Sequence, residues 1–111
     1  MIKTAHTTAD ADPVAESVRR LRVSLKAERI YLFGSRARDE ADDDSDYDFL
    51  VVVRYSPLPR YKREQEAFRA LCGIGVSKDV VVFTREEFER GLAVVSSLPA
   101  TVAREGRLLY G

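Results

Sequence analysis

Two hydrophobic periodicities alternate along this chain. Val14, Val18, Leu21 and Leu25 recur at spacings of three and four, which predicts a helix with one apolar face. Asp12-Pro13, just ahead of them, supplies an N-cap and a proline for the first turn. Arg19, Arg20, Arg22 and Lys26 fall mostly on the other faces and read as a solvated surface. Residues 29–33, Arg-Ile-Tyr-Leu-Phe, are short, aromatic and branched, so they predict a strand. After Asp48 the chain stays apolar to Val53, the pattern of a central strand covered on both faces. Tyr55-Ser-Pro-Leu-Pro59 breaks the chain, and residues 60–72 predict a helix that offers Tyr61, Ala67, Phe68 and Leu71 to the core.

Beyond the glycines at 73 and 75, residues 76–83 predict a third strand. Thr84-Arg-Glu-Glu87 has the spacing of a capping box and opens a helix to about residue 94. Ser96-Ser-Leu-Pro99 opens a last helix that ends near residue 106, and residues 107–110 form a short strand or a docking tail. Strands alternating with helices give an α/β class, although strand order is not legible from the pattern. Residues 1–10 are polar and weakly patterned and read as a flexible tail with a solitary His6, leaving one domain over 11–111.

Composition narrows this picture only slightly. At 111 residues and 45% apolar, the chain suits one small core. Lys and Arg total 18 and Asp and Glu total 18, and this net neutrality argues against direct nucleic-acid binding. The single cysteine, Cys72, permits no intrachain disulfide and reads as a small core residue. A lone cysteine, no spanning apolar run and no apolar leader near Met1 set the expectation of a soluble, cytoplasmic protein without a membrane segment.

The chemistry gathers between the first two predicted strands. Gly34 lacks a Cβ, so its backbone can approach a ligand closely. Ser35 stands where a short helix over residues 36–40 is expected to begin, with free N–H groups suited to phosphate. Arg36 and Arg38 can add charge-assisted contacts to the same anion. Asp46 and Asp48 are two residues apart at a strand mouth and so share a face. Paired carboxylates suit Mg²⁺, and two such ions about 3.5–4 Å apart can stabilise attacking and leaving oxygens together. Asp79 is a lone carboxylate in an apolar strand. If its strand lies beside residues 48–53, it becomes a third metal ligand and a base for an acceptor hydroxyl. Asp42-Asp43-Asp44 reads as a solvated loop. It is not a calcium loop, because Tyr47 and Val53 stand where that loop needs Gly and Glu.

Gly34-Ser35, ten residues, then Asp46-x-Asp48 resembles the signature of the DNA polymerase beta nucleotidyltransferase superfamily. Phe33-Gly-Ser-Arg-Ala-Arg38, Ser45-Asp-Tyr-Asp-Phe-Leu-Val51 and the ending Glu105-Gly-Arg-Leu-Leu-Tyr-Gly111 are similar to its minimal nucleotidyltransferase branch. That resemblance implies a small mixed β-sheet flanked by helices, and transfer of a nucleoside monophosphate from a triphosphate such as ATP to a hydroxyl with Mg²⁺. It matches Asp46 and Asp48 to the metal carboxylates, Asp79 to the third carboxylate, and Gly34 and Ser35 to the phosphate turn. It further implies an antitoxin in a hetero-oligomer with a HEPN-domain ribonuclease toxin, silenced by AMP on a tyrosine. Two alternatives stand beside it: an antitoxin that neutralises by binding alone, and the catalytic subunit of a two-chain enzyme acting on a small molecule or RNA end. Asp39-Glu40 departs from the branch, which often carries glycine there.

Overall fold

The computed structural model describes residues 12–42 and 44–111. The tail expected at residues 1–10, with His6, lies outside the described residues, as does Asp43. Helix α1 spans Pro13–Leu25 and opens as its sequence dictates: Asp12 accepts from Ala15 N at 3.0 Å, with Pro13 in the first turn. Strand β1 (Ala27–Phe33) follows, then β2 (Tyr47–Val53), helix α2 (Arg60–Ala70), strand β3 (Lys78–Thr84), helices α3 (Arg85–Leu92) and α4 (Leu98–Glu105), and strand β4 (Arg107–Tyr110). Residues 107–110 are therefore a strand and not a tail. Among the described residues no helix is long and apolar enough to cross a membrane.

The four strands form one mixed sheet in the order β3-β2-β1-β4. β1 is antiparallel to both β2 and β4, whereas β2 and β3 are parallel. Alternation along the strands divides the core into two layers. Phe49, Val51, Ile30 and Leu32 face α1 and α2, where Leu21, Ala67 and Leu71 meet them. Leu50, Val52 and Phe83 face α3 and α4, where Phe88 and Val102 meet them. Tyr31 stacks on Phe88 with ring centroids 5.6 Å apart, which seats α3 across β1.

Three sequence expectations need correction. Tyr61 and Phe68 are exposed, at 61% and 42%, because the inward stripe of α2 runs through Ala67 and Leu71 and through the aliphatic stem of Arg63. Cys72 is exposed as well, since α2 ends at Ala70 and the chain has already turned outward. The third strand begins two residues later than its apolar run, because Val76 is bound into a tight turn, its N–H donating to Ile74 O at 2.9 Å.

Arg63 is the charged residue at the centre of this layer. Its side chain is 8% exposed and forks onto Glu87, with Nη1–Oε1 at 2.7 Å and Nη2–Oε2 at 3.1 Å. It also donates to Leu58 O and Val82 O, at 2.9 and 3.2 Å. Glu87 in turn closes the capping box with Thr84. One carboxylate therefore joins α2, the end of β3 and the start of α3. The Arg63 guanidinium holds the Glu87 carboxyl down from its ordinary 4.5 to about 2; desolvation opposes this and the Thr84 backbone N–H reinforces it. Because the folded value lies below the unfolded one, the associated stability is complete above pH 4.5 and drains as pH falls toward 2. Glu87→Gln keeps an oxygen for the cap and removes the charge. It is expected to lower the unfolding free energy by about 2 kcal/mol at neutral pH, since Arg63 stays buried without its counter-ion. Urea titrations at several pH values should also show a shallower decline below pH 4.5 in this variant than in wild type, the remainder belonging to Glu16 and Glu28, which their arginine partners likewise hold down.

Candidate active site

The parallel pairing of β2 and β3 decides what meets at their N-terminal ends. Tyr47 is in register with Lys78, and Asp48 with Asp79. On the other side of β2, Asp48 is in register with Phe33, the last residue of β1. The chain then turns at Gly34, whose φ is +77°. A Cβ built on Gly34 would collide with Asp48 Oδ2 and lie 3.4 Å from its Cγ. The Gly-Ser turn thus passes directly over the Asp48 carboxyl, with no room for a larger residue. Two of the sequence-predicted groups, the turn and the carboxylate pair, are in contact.

Asp48 is half-buried, while Asp46 and Asp79 are exposed. Burial first, and then the charges of Asp79 and Asp46, push the Asp48 carboxyl above the ordinary aspartate value. Asp46 Oδ1 accepts from the hydroxyl of Ser77. Asp79 Oδ1 accepts from Val80 N at 3.0 Å. Asp48 thus senses both Asp46 and Asp79 at the same end of the sheet, and the donor atoms of all three are hard oxygens of the kind that Mg²⁺ takes. The excess negative charge on Asp48 is the feature a cation would relieve. Among the described residues no three His, Cys, Asp or Glu side chains already close around one point.

Residues 34–40 form a succession of turns and not the expected short helix. Ala37 N donates to Gly34 O at 3.1 Å, and Arg38 N and Glu40 N both donate to Ser35 O, at 3.2 and 3.0 Å. Asp39, at φ +60°, takes the left-handed conformation that prevents helical continuation. That is the conformation glycine adopts without strain. Among the described residues the amides of Ser35 and Arg36 donate to no protein acceptor.

The side chain of Arg36 is engaged by the acidic loop. Its guanidinium donates to Ser45 O, at 3.2 and 3.0 Å, and to Asp42 O at 3.1 Å, and it stacks 4.0 Å over the Tyr47 ring. It ties the acidic loop to the turn. Arg38 pairs with Glu40 at 2.9 Å on the surface. Asp42 and Asp44 close their own loop, Asp44 N donating to Asp42 Oδ1 at 3.0 Å and Ser45 N to Asp42 O at 3.1 Å.

Sequence reasoning missed Ser77. Ser77-x-Asp79 repeats the spacing of Asp46-x-Asp48 on the neighbouring strand, and that repetition was the available signal. A groove of about 490 Å³ opens beside this corner, between Arg36, Tyr47 and the loop carrying Gly75 and Ser77.

Substitution at Gly34 should separate backbone strain from contact with Asp48. Gly73 also has a positive φ, +91°, but its Cβ would meet nothing within 4 Å. Gly73→Ala is expected to lower unfolding free energy by about 1–2 kcal/mol through strain alone. Gly34→Ala should cost measurably more in the same urea titration. Equal losses would mean that the Asp48 carboxyl swings aside freely.

Comparison with known proteins gives this corner its family. The chain is 32% identical over 57 residues to the putative protein adenylyltransferase MJ0141 of Methanocaldococcus jannaschii, a match covering 51% of this chain and 56% of that relative's length. The crystal structure of a toxin-antitoxin with AMP-PNP shares the fold, with a TM-score of 0.53 at 23% identity over 87% of this chain and 72% of its own. A putative nucleotidyltransferase from Sulfolobus solfataricus gives a TM-score of 0.47 at 25% identity, over 71% of this chain and 79% of its own. The family model described as the nucleotidyltransferase domain matches residues 14–108, which include the Gly34 turn and all three aspartates, and the chain therefore belongs to the nucleotidyltransferase domain family.

Proposed function

We propose that this chain is a Mg²⁺-dependent nucleotidyltransferase antitoxin that moves AMP from ATP to a hydroxyl, a tyrosine of a HEPN-domain ribonuclease toxin, and so neutralises it in the cytoplasm. The observation that carries the reading is the register Asp48↔Asp79 beneath the Gly34 turn. It puts three carboxylates and a turn with two unspent amides at one corner of the sheet. The family membership supports the transfer chemistry. The relative's printed name supports a protein acceptor, and the toxin-antitoxin neighbour supports the assembly.

Asp46, Asp48 and Asp79 would hold the metal, which when bound would neutralise triphosphate charge and stabilise the charge that develops on the transferring group. The chain's own groups account for the rest. Ser35 N and Arg36 N receive phosphate oxygens, and Gly34 lets the backbone come that close. Asp79, exposed beside Asp48, takes the proton of the acceptor hydroxyl. The hydroxyl oxygen then bonds to the α-phosphorus, and the bond from that phosphorus to the bridging oxygen breaks. Pyrophosphate leaves with the bonding pair. Arg36 contributes indirectly, by fixing the loop that precedes Asp46.

The test is an intact-mass spectrum of the protein encoded beside this chain, as the proposed toxin, after incubation with the chain, ATP and Mg²⁺. Whole AMP units should be added to the toxin. Chelation of Mg²⁺ should abolish the gain, and Asp48→Ala should slow it by about a thousandfold or more. A stable complex with no mass gain would instead make the protein an antitoxin by binding alone. The absence of both would remove the HEPN toxin as the partner.

A further inference from the structure

We infer that Ser77 is a positioning residue for Asp46, setting which carboxylate oxygen is offered to a divalent cation. The inference rests on the proposed reading of Asp46 as a cation ligand. Its basis is the continuation of the parallel register one residue beyond the strands. Tyr47 pairs with Lys78, and Tyr47 N donates to Ser77 O at 3.0 Å. This sets Ser77 directly beside Asp46, and its hydroxyl donates to Asp46 Oδ1. The same face of the two strands therefore carries a two-by-two array: Asp46 beside Ser77, then Asp48 beside Asp79.

The array has a physical asymmetry. In the second row two carboxylates repel each other. In the first row a hydroxyl donates to a carboxylate, which engages Oδ1 and leaves the second oxygen for another partner. Asp46 precedes its strand and is exposed, so packing does not fix its rotamer. The hydrogen bond supplies that restraint.

Ser77 is itself held from behind. Lys78 Nζ donates to Ile74 O and Val76 O, at 2.9 and 3.0 Å, closing the loop that delivers the hydroxyl. Arg20 donates to Cys72 O at 2.8 Å and pins the start of that loop to α1. Two cations outside the carboxylate corner thus serve to place one neutral donor within it. Partners that orient a metal-binding carboxylate typically contribute about 10- to 100-fold in metal affinity.

Mn²⁺ is the probe, titrated by electron paramagnetic resonance into the full chain with and without a non-hydrolysable ATP analogue. Wild type is compared with Ser77→Ala, Ser77→Thr and Asp46→Ala, and urea midpoints are recorded for each. Ser77 is exposed, so Ser77→Ala should unfold at the wild-type midpoint. Its Mn²⁺ affinity should fall about tenfold, and Ser77→Thr, which restores a hydroxyl, should recover it. Asp46→Ala should lose Mn²⁺ binding more completely. If Asp46→Ala binds Mn²⁺ as wild type does, the cation-ligand reading itself fails. If Asp46→Ala loses binding while Ser77→Ala retains wild-type affinity, only the positioning role fails. A loss in Ser77→Ala that threonine does not restore, or that follows a lowered urea midpoint, would equally overturn that role.

Discussion

The lateral pairing of β2 with β3 is the constraint on which the rest depends. From Phe49 to Val53 every residue of β2 is buried, and Val80, Val82 and Phe83 of β3 are buried beside them. Burying each such side chain contributes about 1.5–3 kcal/mol. Two like charges directly opposite on a sheet cost about 0.2–1 kcal/mol. The apolar run therefore dictates the register, and Asp48 is brought against Asp79 as a consequence. Burial of Asp48, and after it the charges of Asp79 and Asp46, raise the affinity of its carboxylate for a proton. A cation at this corner would relieve a strain that hydrophobic packing created.

The two ends of the sheet are built differently. At the far end Arg63 and Glu87 lock α2, β3 and α3 with a forked ion pair and backbone carbonyls. Arg85 and Glu28 join α3 to β1 across the same end. At the site end the restraints are cationic side chains on loop carbonyls: Arg36 on Ser45 O and Asp42 O, Lys78 on Ile74 O and Val76 O. Both ends are thus held by cationic side chains on backbone carbonyls, and the far end adds a forked ion pair between helices.

Legibility followed the range of the interaction. Local signals were read correctly: the Asp12 cap, the Thr84 capping box and the apolar run of β2 each depend on residues within a few positions. The contact of Gly34 with Asp48 was foreshadowed by the motif spacing, because residues 34–46 join β1 directly to its antiparallel neighbour. The adjacency of Asp79 was conditional in the sequence, since a parallel partner arrives only after the excursion through α2. The hold of the Ser45 and Asp42 carbonyls on Arg36 was not legible, because loop carbonyls that accept from a side chain leave no mark in the residue pattern. Tyr61, Phe68 and Cys72 were assigned to the core on residue type. The helix phase, set by Ala67 and Leu71, turned them outward.

A serine at position 77 also makes sense against its alternatives. A carboxylate there would put four negative charges in two adjacent rows, raising the repulsion that packing must already overcome at Asp48. An alanine would leave Asp46 free to rotate and its full charge unmoderated. A hydroxyl adds no charge, donates to one oxygen of Asp46 and leaves the other free. It therefore sets the direction of the outer carboxylate while holding the charge of the corner at three. Under the proposed function, in which a cation would arrive with a polyanionic triphosphate, that is the more favourable balance: a fourth carboxylate would strengthen the hold on the metal and repel the phosphates that accompany it.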